Sequence, residues 1–320
     1  MKERILVIGA AGQIGTALLD ALVEAYSHDA VHAADIRPME YGGPSYAVDI
    51  TEPASVTEVF RKVRPTQVYH LAAILSASGE KDIHKTWAVN VDGYRHVLFH
   101  CRDFEVKKVF YPSTIAVFGP TTPKENTPQD APLLPQTVYG MSKVSGEMWS
   151  QYMYAKFGLD VRSLRYPGVI GWRTIPSGGT TDYAVEMFYA AIEGKTYRCY
   201  LDRDTYLPMM YMPDAIKATL QLMEASAEKI TLHYGYNISG TNFAPKDLEE
   251  AIREFIPDFR VEYQPDYRQE IASTWVRSID DSVAHRDWGW KPEYDLRRMT
   301  EDMLMHLRKK FNSSIPEPIE

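Results

Sequence analysis

Tyr139 and Lys143 carry the strongest chemical signal in the chain, because they lie four residues apart in the stretch Val-Tyr-Gly-Met-Ser-Lys. On a helix this spacing puts a phenol and an ammonium side by side on one face. A phenol ordinarily loses its proton at about pH 10, and a neighbouring ammonium lowers that pKa toward neutrality. The spacing therefore predicts that Tyr139 is a general base assisted by Lys143. Surface helices also carry such pairs by chance, so the prediction depends on the motifs that accompany it.

A glycine-rich loop near the start of the chain is the first of these motifs. It is spaced Gly-x-x-Gly-x-x-Gly, between a strand predicted at residues 5–8 and a helix predicted at residues 14–26. Glycines here let the backbone turn sharply and approach a pyrophosphate, while the free N–H groups of the helix face the phosphates. Such a run can be a plain turn, but the strand–helix context favours dinucleotide binding. The predicted contacts are Gly9, Gly12, Gln13, Ile14 and Gly15.

An acidic residue, Asp35, ends the second predicted strand, at residues 31–35. A carboxylate at this place accepts hydrogen bonds from the ribose diol of NAD and repels the 2′-phosphate of NADP. Asp35 therefore predicts NAD as the cofactor. Arg37 makes this preference less sharp, because an arginine tolerates a phosphate.

Further cofactor contacts are predicted after the next strands. Small residues after the fourth strand let the cofactor pass close to the backbone, whereas Asp49 could contact the adenine or form a simple turn. Asn90 could equally be a buried amide that stabilises its own helix. The set comprises Asp49, Ile50, Leu71, Ala72, Ala73 and Asn90.

Strands alternate with helices through the first half of the chain, which predicts right-handed crossovers and a parallel sheet covered on both faces. The fold class is thus α/β, a Rossmann doubly wound sheet with a smaller C-terminal substrate-binding lobe. The expected division is residues 1–166 for the NAD-binding domain and 167–320 for the lobe, with some segments returning to the sheet. Strands are predicted at 5–8, 31–35, 46–48, 67–71, 108–111 and 160–165. Helices are predicted at 14–26, at about 80–101, and at 138–157, 183–193, 213–225 and 245–255. A further helix is predicted to begin at about residue 53, with Thr51 as its N-cap.

Composition describes an ordinary globular enzyme. The 320 residues carry a net charge of −8, which argues against a nucleic-acid partner. No apolar run approaches the roughly 20 residues of a membrane helix, and no cleavable leader is expected. Cys101 and Cys199 are predicted to be reduced buried thiols of a cytoplasmic protein. His96 and His100 share a helix face without an evident third ligand, so no metal is predicted.

Four motifs in order resemble the extended short-chain dehydrogenase/reductase family, the group that includes UDP-galactose 4-epimerase. They are the glycine loop, Asn90-Val-Asp-Gly93, the stretch from Ser113 to Gly119, and the Tyr139–Lys143 pair. The resemblance covers about residues 4–307. It implies hydride transfer between NAD and a carbinol, and a homodimer that pairs through the helices at about 80–101 and 138–157.

Three longer segments, at residues 74–80, 176–184 and 207–212, resemble the short-chain type of NAD-dependent L-threonine 3-dehydrogenases. This implies oxidation of the β-hydroxyl of L-threonine to L-2-amino-3-oxobutanoate, with release of NADH. Tyr139 would take the hydroxyl proton, Lys143 would also bond the nicotinamide ribose, and Thr114 would donate to the developing oxygen. Thr114 replaces the usual serine of the family, and its methyl group restricts the rotamer. Ser177 stands where another glycine is expected.

A small zwitterionic substrate needs donors for its carboxylate, and the predicted substrate contacts are Ser76, Thr114, Tyr139, Gly179, Thr180 and Thr181. Thr181 is equally consistent with a helix cap. Asp182 could receive the ammonium or compensate a helix dipole. Tyr166, held extended by Pro167, is predicted to lie against the nicotinamide or simply to end a strand. Trp275 could form a wall of the substrate pocket, although an indole is more often a packing residue.

Two other functions remain compatible with the sequence. A nucleotide-sugar epimerase or dehydratase of the same superfamily would use the same pair and would need basic residues for a diphosphate, for which Arg173, Arg198 and Arg203 are candidates. A non-catalytic NAD-sensing protein is disfavoured because Thr114, Tyr139 and Lys143 are all present.

Overall fold

A seven-stranded parallel sheet forms the centre of the structure, a computed structural model that describes residues 3–37, 39–175 and 178–312. In chain order its strands are β1 (Ile5–Ile8), β2 (Val31–Asp35), β3 (Ser45–Ala47), β4 (Gln67–His70), β5 (Lys108–Thr114), β6 (Asp160–Tyr166) and β10 (Tyr236–Asn237). Their spatial order is β10-β6-β5-β4-β1-β2-β3, and every neighbouring pair is parallel. The order reverses between β1 and β4, and ligands of open α/β sheets bind at such a point, outside the carboxyl ends of the strands.

Helices cover both faces of this sheet, because its strands are apolar on both sides. All four residues of β1 are buried, as a strand with two covered faces requires. Leu6 and Ile8 pack on one face with α2 (Pro53–Val63), α5 (Tyr94–Asp103) and α6 (Val138–Phe157). Ile5 and Val7 pack on the other with α1 (Gln13–Ala25) and α8 (Met212–Glu224). The face on which each side chain packs therefore alternates along β1 with the two-residue period of a strand.

The second half of the chain builds a smaller, mixed unit beside the carboxyl edge of the large sheet. Its strands are β7 (Gly168–Ile170), β8 (Tyr197–Cys199), β9 (Leu207–Tyr211), β11 (Thr241–Phe243) and β12 (Val261–Tyr263). They form one three-stranded sheet, β11-β9-β7, and one pair, β12-β8. The remaining helices are α3 (Ser76–Gly79), α4 (Ile83–Trp87), α7 (Tyr183–Ile192), α9 (Pro245–Arg253), α10 (Tyr267–Thr274), α11 (Ser282–Trp288) and α12 (Leu296–Asn312).

The predicted fold class is confirmed, and most elements of the first half lie within two residues of their predicted bounds. One helix differs: the segment predicted as continuous to about residue 101 is interrupted by a π-helical turn at Ala88–Gly93. The side chain of Asn90 in this turn bonds the backbone of Ile74 in both directions, at 2.8 and 3.0 Å. Single π turns frequently occur where a helix serves a neighbouring site.

The predicted Thr51 cap of α2 is wrong. Glu52 occupies the N-cap position without a side-chain cap bond. The Thr51 hydroxyl instead donates to Asp49 Oδ1 at 2.7 Å, which closes a local turn. Short hydroxyl and carboxylate side chains form such turns as readily as caps.

No helix among the residues that the structure describes is long and apolar enough to cross a membrane. Cys101 and Cys199 are buried free thiols.

Candidate active site

The glycine loop lies between the carboxyl end of β1 and the start of α1, against the first residues after β4. Gly9 has φ +84°, and a Cβ there would lie 2.4 Å from the backbone nitrogen of Ala72. A Cβ on Gly15 would lie 2.4 Å from the carbonyl oxygen of Gly9. Larger residues would therefore push the loop off the sheet. Gly12 is the N-cap of α1 and provides no side-chain cap, so the N–H groups of the first turn are open to an anion. This cradle fits the pyrophosphate of a dinucleotide.

Asp35 lies beside this loop at the end of β2. Its carboxylate accepts hydrogen bonds from the backbone nitrogens of Ala11 at 3.0 Å and Arg37 at 3.2 Å. The acid is thus fixed to the loop that would hold the phosphates, and it is only partly buried, which leaves the carboxylate accessible to a ribose. Arg37 is exposed.

Three other predicted cofactor contacts have structural partners of their own. Asp49 Oδ1 accepts from both the backbone and the hydroxyl of Thr51. Ile50 is buried, and a Cβ added to Gly93 would lie 2.7 Å from its side chain. Asn90 is 3% exposed and joins the segment after β4 to Ser142 of α6, through a 3.1 Å bond. Its position supports the alternative of a structural amide, and its contribution to cofactor binding stays a prediction.

A cleft of about 790 Å³, open at its mouth, lies at the carboxyl edge of the sheet. It brings together residues predicted from the glycine loop, the segment after β4, the catalytic set and the substrate loop. The predicted residues that line it are Gln13, Ile14, Leu71, Ala73, Ser76, Thr114, Tyr139, Lys143, Tyr166, Gly179, Thr180 and Thr181. Gly9, Gly12, Gly15, Asp35, Arg37, Asp49, Ile50, Ala72 and Asn90 do not line this cleft.

The hydroxyl groups of Thr114 and Tyr139 lie close together because β5 ends and α6 begins at the cleft. Thr114 is the last residue of β5, and Tyr139 is the second residue of α6. Thr137 fixes the start of α6, since its side chain accepts from the backbone nitrogen of Gly140 at 3.1 Å. The side chains of Thr114 and Tyr139 are hydrogen-bonded to each other.

Lys143 lies one helical turn beyond Tyr139, with its Nζ 5.7 Å from the centroid of the Tyr139 ring. The ammonium donates to the carbonyl oxygen of Pro112 at 2.7 Å and lies 4.7 Å from the centroid of the Tyr111 ring. The residue is 4% exposed. The spacing in sequence thus places both side chains in one pocket.

The predicted lowering of the Tyr139 pKa by Lys143 is wrong. Burial raises the pKa of Tyr139 to about 12, and the hydrogen bond with Thr114 lowers it by less. Burial also lowers the pKa of Lys143 from 10.5 to about 7. The sequence shows the spacing of the pair but not its desolvation, and desolvation disfavours both charged forms.

Glu147, one further turn along α6, is the carboxylate that opposes this effect on Lys143 and raises its pKa. Its side chain is 2% exposed and forms a buried ion pair with Arg165 at 2.8 Å. Ser113 also donates to it at 2.5 Å. Apart from the four-residue spacing from Lys143 to Glu147, no sequence pattern predicts these contacts of Glu147.

The substrate side of the cleft is formed by α3 and the loop before α7. Ser76 Oγ lies 3.0 Å from Thr180 Oγ1 and accepts from the Thr180 backbone nitrogen at 3.3 Å. Asp182 accepts from the backbone nitrogens of Gly178 and Gly179 at 2.9 and 2.7 Å, and so shapes the loop. Thr181 does not cap α7, whose N-cap is Asp182 without a side-chain cap bond.

Ser177, the predicted departure from a glycine, lies outside the described residues. Tyr166 lines the cleft, and its hydroxyl is hydrogen-bonded to Thr219 in the core. Because the hydroxyl points into the core, the aromatic ring of Tyr166 forms part of the cleft wall.

Of the two interpretations of Trp275, the structure favours a residue of the cleft wall. It follows α10, is 6% exposed and lines the cleft together with Tyr139. An isolated tryptophan more than 130 residues from the catalytic motif carries no periodic signal that would place it there. The remaining lining residues are Leu75, Pro112, Ser113, Ile115, Asp182 and residues 167–169.

The chain is similar to known proteins over almost its whole length. Residues 5–239 match the NAD dependent epimerase/dehydratase family. A GalE-like L-threonine dehydrogenase from Cupriavidus necator, in a holo form, is 48% identical with a TM-score of 0.93, over 95% of this chain and 99% of that one. A monomeric L-threonine 3-dehydrogenase of metagenomic origin is 47% identical with a TM-score of 0.93, over 96% and 99%. An uncharacterized epimerase/dehydratase of Staphylococcus saprophyticus is 41% identical over 98% of this chain and 99% of its own length.

Proposed function

The chain belongs to the NAD-dependent epimerase/dehydratase family, and from this premise we propose that it oxidises the β-hydroxyl of L-threonine with NAD⁺. One observation carries the proposal: Thr114, Tyr139 and Lys143 line a single cleft with the residues that open α1. The likeness to L-threonine dehydrogenases over almost the whole chain supports the choice of substrate.

The chain's own residues would hold the cofactor at the edge of the sheet. The first turn of α1 would bind the pyrophosphate, and Asp35 would bind the adenosine ribose. Leu71 and Ala73 leave room for the chain of the dinucleotide beside the backbone, and Tyr166 would form the wall behind the nicotinamide. When bound, NAD⁺ supplies a hydride acceptor and a positive charge.

Proton transfer falls to Tyr139. Its phenolic oxygen accepts the proton of the substrate β-hydroxyl while the hydrogen on the same carbon leaves as hydride. Thr114 donates a hydrogen bond to the oxygen that becomes the carbonyl. Lys143, one helical turn away, accepts the proton that Tyr139 must lose before it reacts with the substrate. The positive charge that Lys143 then carries stabilises the phenolate. The balanced reaction converts L-threonine and NAD⁺ into L-2-amino-3-oxobutanoate, NADH and a proton.

The substrate side of the cleft offers donors suited to a small carboxylate. Ser76, Thr180 and Thr181 present hydroxyl groups. The backbone N–H groups of Gly178 and Gly179 already donate to Asp182, and that of Thr180 donates to Ser76. One of the two hydroxyls in the Ser76–Thr180 pair donates to the other, and the second hydroxyl keeps its proton for a substrate oxygen. We propose that this pair orients the substrate carboxylate, while Asp182 is the nearest acid for the ammonium.

A nucleotide-sugar epimerase is less well supported. None of its three candidate arginines lies among the described residues that line the cleft. Arg173 pairs with Asp20 and Arg198 pairs with Glu262 on the surface. Arg203 lies 6.0 Å from the centroid of the Tyr263 ring. A diphosphate would therefore find no arginine prepared for it in the cleft.

Incubation of the purified protein with NAD⁺ and L-threonine tests the proposal. We expect NADH absorbance to appear with L-threonine and not with UDP-galactose or UDP-glucose. The matched control is Tyr139→Phe under the same conditions. Interconversion of the two UDP-sugars without NADH formation from threonine would instead establish the epimerase.

We further propose a homodimer that forms through the outer face of α6 and the neighbouring α4–α5 segment. Large apolar side chains are exposed there, including Met148 at 68% and Tyr152 at 48%. An exposed apolar patch of this kind marks an interaction surface. Light scattering should give twice the 36.5 kDa of one chain, whereas Met148→Glu should give a single chain. A wild-type mass of one chain would contradict the dimer and match the monomeric relative.

We place this reaction in the cytoplasm. Two buried free thiols suit a reducing compartment, and the substrate and NAD are small soluble molecules. Localisation of a tagged full-length chain by cell fractionation tests this assignment.

A further inference from the structure

Trp275 lines both the catalytic cleft and a second, outer cavity. It lines the cleft with Thr114 and Tyr139. It also lines an outer cavity of about 860 Å³, together with Lys124, Thr205, Gln269 and other residues. The wall between the two spaces therefore includes this residue, and its displacement would connect them.

Lys124 holds the backbone that carries this indole. Trp275 is the C-cap of α10, where the last carbonyl groups of a helix have no partner within the helix. Lys124 Nζ donates to the carbonyl oxygens of Thr274 at 2.5 Å, Trp275 at 2.8 Å and Ser273 at 3.4 Å. A cation at this position also complements the negative end of the helix dipole.

The same segment is joined to the residues after Trp275 by backbone hydrogen bonds. The carbonyl oxygen of Lys124 accepts from the nitrogen of Arg277 at 2.7 Å. Thr127 donates its N–H to Ser278 at 3.0 Å and accepts from Asp280 at 3.0 Å. Thr127 is fully buried. Both sides of Trp275 are thus attached to one stretch of chain.

That stretch also connects the catalytic hydroxyls to each other. It follows the short helix after Thr114 and leads to α6, which begins one residue before Tyr139. Thr122, at its start, is bonded to Gly119 at 3.1 Å and to Pro132 at 2.9 Å. Lys124 therefore fixes Trp275 relative to the groups that would contact the substrate carbinol.

We propose that Lys124 is a positioning residue that holds Trp275 as a closed wall and so limits the length of substrate that the cleft accepts. The inference rests on the proposed oxidation of L-threonine and adds to it the determinant of substrate size. Without the three hydrogen bonds from Lys124 Nζ, the end of α10 would loosen and the cleft would open toward the outer cavity. A longer β-hydroxy-α-amino acid would then be tolerated.

The test compares Lys124→Met with the wild-type enzyme on L-threonine and on 2-amino-3-hydroxypentanoate, which is one methylene longer. We expect the ratio of the two kcat/KM values to fall by about tenfold, the lower limit for one methylene in an apolar pocket. The KM for threonine should rise more than kcat falls, and the KM for NAD⁺ should stay unchanged. Lys124→Arg should restore the ratio. Lys217→Met is the matched control, because Lys217 Nζ donates to the carbonyl oxygen of Lys291 at 3.0 Å, away from the cleft.

Amide hydrogen exchange gives a second readout that needs no turnover. In Lys124→Met, exchange should accelerate in the peptide that contains α10 and Trp275, and not in α6. Unchanged exchange in that peptide would overturn the proposal whatever the activity. Faster exchange with an unchanged substrate ratio would also overturn it, since the wall would then not set substrate size. A wild-type enzyme that oxidises neither substrate would refute the proposed function itself, and the size limit with it.

Discussion

Burial is the dominant influence on the catalytic pair at the residue scale. It raises the pKa of Tyr139 to about 12 and lowers that of Lys143 to about 7. The first proton to leave the pair therefore leaves near pH 7, from Lys143. We propose that transfer of the remaining proton from Tyr139 to Lys143 then produces a minor population of the phenolate, without a further change in net protonation. In this proposal the two residues act as one base, and neither would be effective alone.

The pH dependence of kcat/KM is expected to differ between Lys143→Met and the wild type. In the wild type, kcat/KM should rise as pH increases through about 7, because the pair must lose one proton to become a base. In the variant the rise should move above pH 9, since the phenol must then lose its own proton and its pKa is raised. The measurement is kcat/KM from pH 6 to 10, with NAD⁺ affinity determined separately. An identical profile in both proteins would show that Lys143 does not activate Tyr139.

Asp35 is predicted to select the cofactor. Asp35→Ala removes the carboxylate that would bind the adenosine ribose and repel a 2′-phosphate. We expect weaker NAD⁺ binding and a smaller preference for NAD⁺ over NADP⁺, measured as the ratio of the two dissociation constants. Arg37→Ala serves as the neighbouring control. If Asp35→Ala leaves that ratio unchanged, the acid does not contact the ribose.

At the scale of elements, the site depends on where strands end and helices begin. The glycine loop is predictable because its chemistry needs glycines at a strand–helix junction, and the structure explains two of them sterically. The bounds predicted for α6, residues 138–157, are also those of the structure. The sequence alone does not decide between a cleft wall and a packing role for Trp275, because α10 is placed by contacts with a segment far away in sequence, including Lys124. Contacts of that kind leave no local pattern.

Gly15→Ala tests the packing of α1 on its strand. A Cβ would lie 2.4 Å from the carbonyl oxygen of Gly9 and 2.6 Å from that of Ala10, so the loop must move. We expect NAD⁺ affinity to fall more than tenfold by titration calorimetry. Thr16→Ala, in the same turn, should change it little. Equal affinities for Gly15→Ala and the wild type would show that the close approach of α1 to the loop is not needed for binding.

At the scale of the molecule, the two halves of the chain meet at the carboxyl edge of the central sheet. The first half supplies the glycine loop and the catalytic pair, and the second supplies Thr180, Asp182 and Trp275. The fold class and the family were predictable from the order of the motifs. The short strands β7 to β12 were not, because several contain only two or three residues and pair with distant partners.

The core beneath the site predicts how stability depends on pH. His70 is 1% exposed, stacks on Tyr94 at 4.9 Å between ring centroids, and its Nδ1 has no hydrogen-bond partner among the described residues. Burial lowers the pKa of His70 from 6.5 to about 3. The unfolded chain therefore binds a proton below pH 6.5 that the folded protein does not, and stability is lost as pH falls from 6.5 toward 3, by about 1.4 kcal/mol per pH unit.

His70→Phe should remove this dependence while keeping the aromatic stack. The free energy of unfolding is measured with urea at pH 7 and at pH 5. We expect its decrease from pH 7 to pH 5 to be smaller in the variant than in the wild type. His28→Gln, at an exposed histidine, is the control and should resemble the wild type. If His70→Phe loses as much stability as the wild type on acidification, another group accounts for the loss.

The decisive measurement for Tyr139 as the proton acceptor is the rate of NADH formation from L-threonine by Tyr139→Phe. The NAD⁺ affinity is determined on the same protein preparation. Tyr139→Phe removes only the oxygen that accepts the substrate proton, so we expect wild-type NAD⁺ affinity with kcat lowered by about 10² to 10⁴. Turnover within a few-fold of the wild type would contradict it, because the substrate proton would then leave by another route.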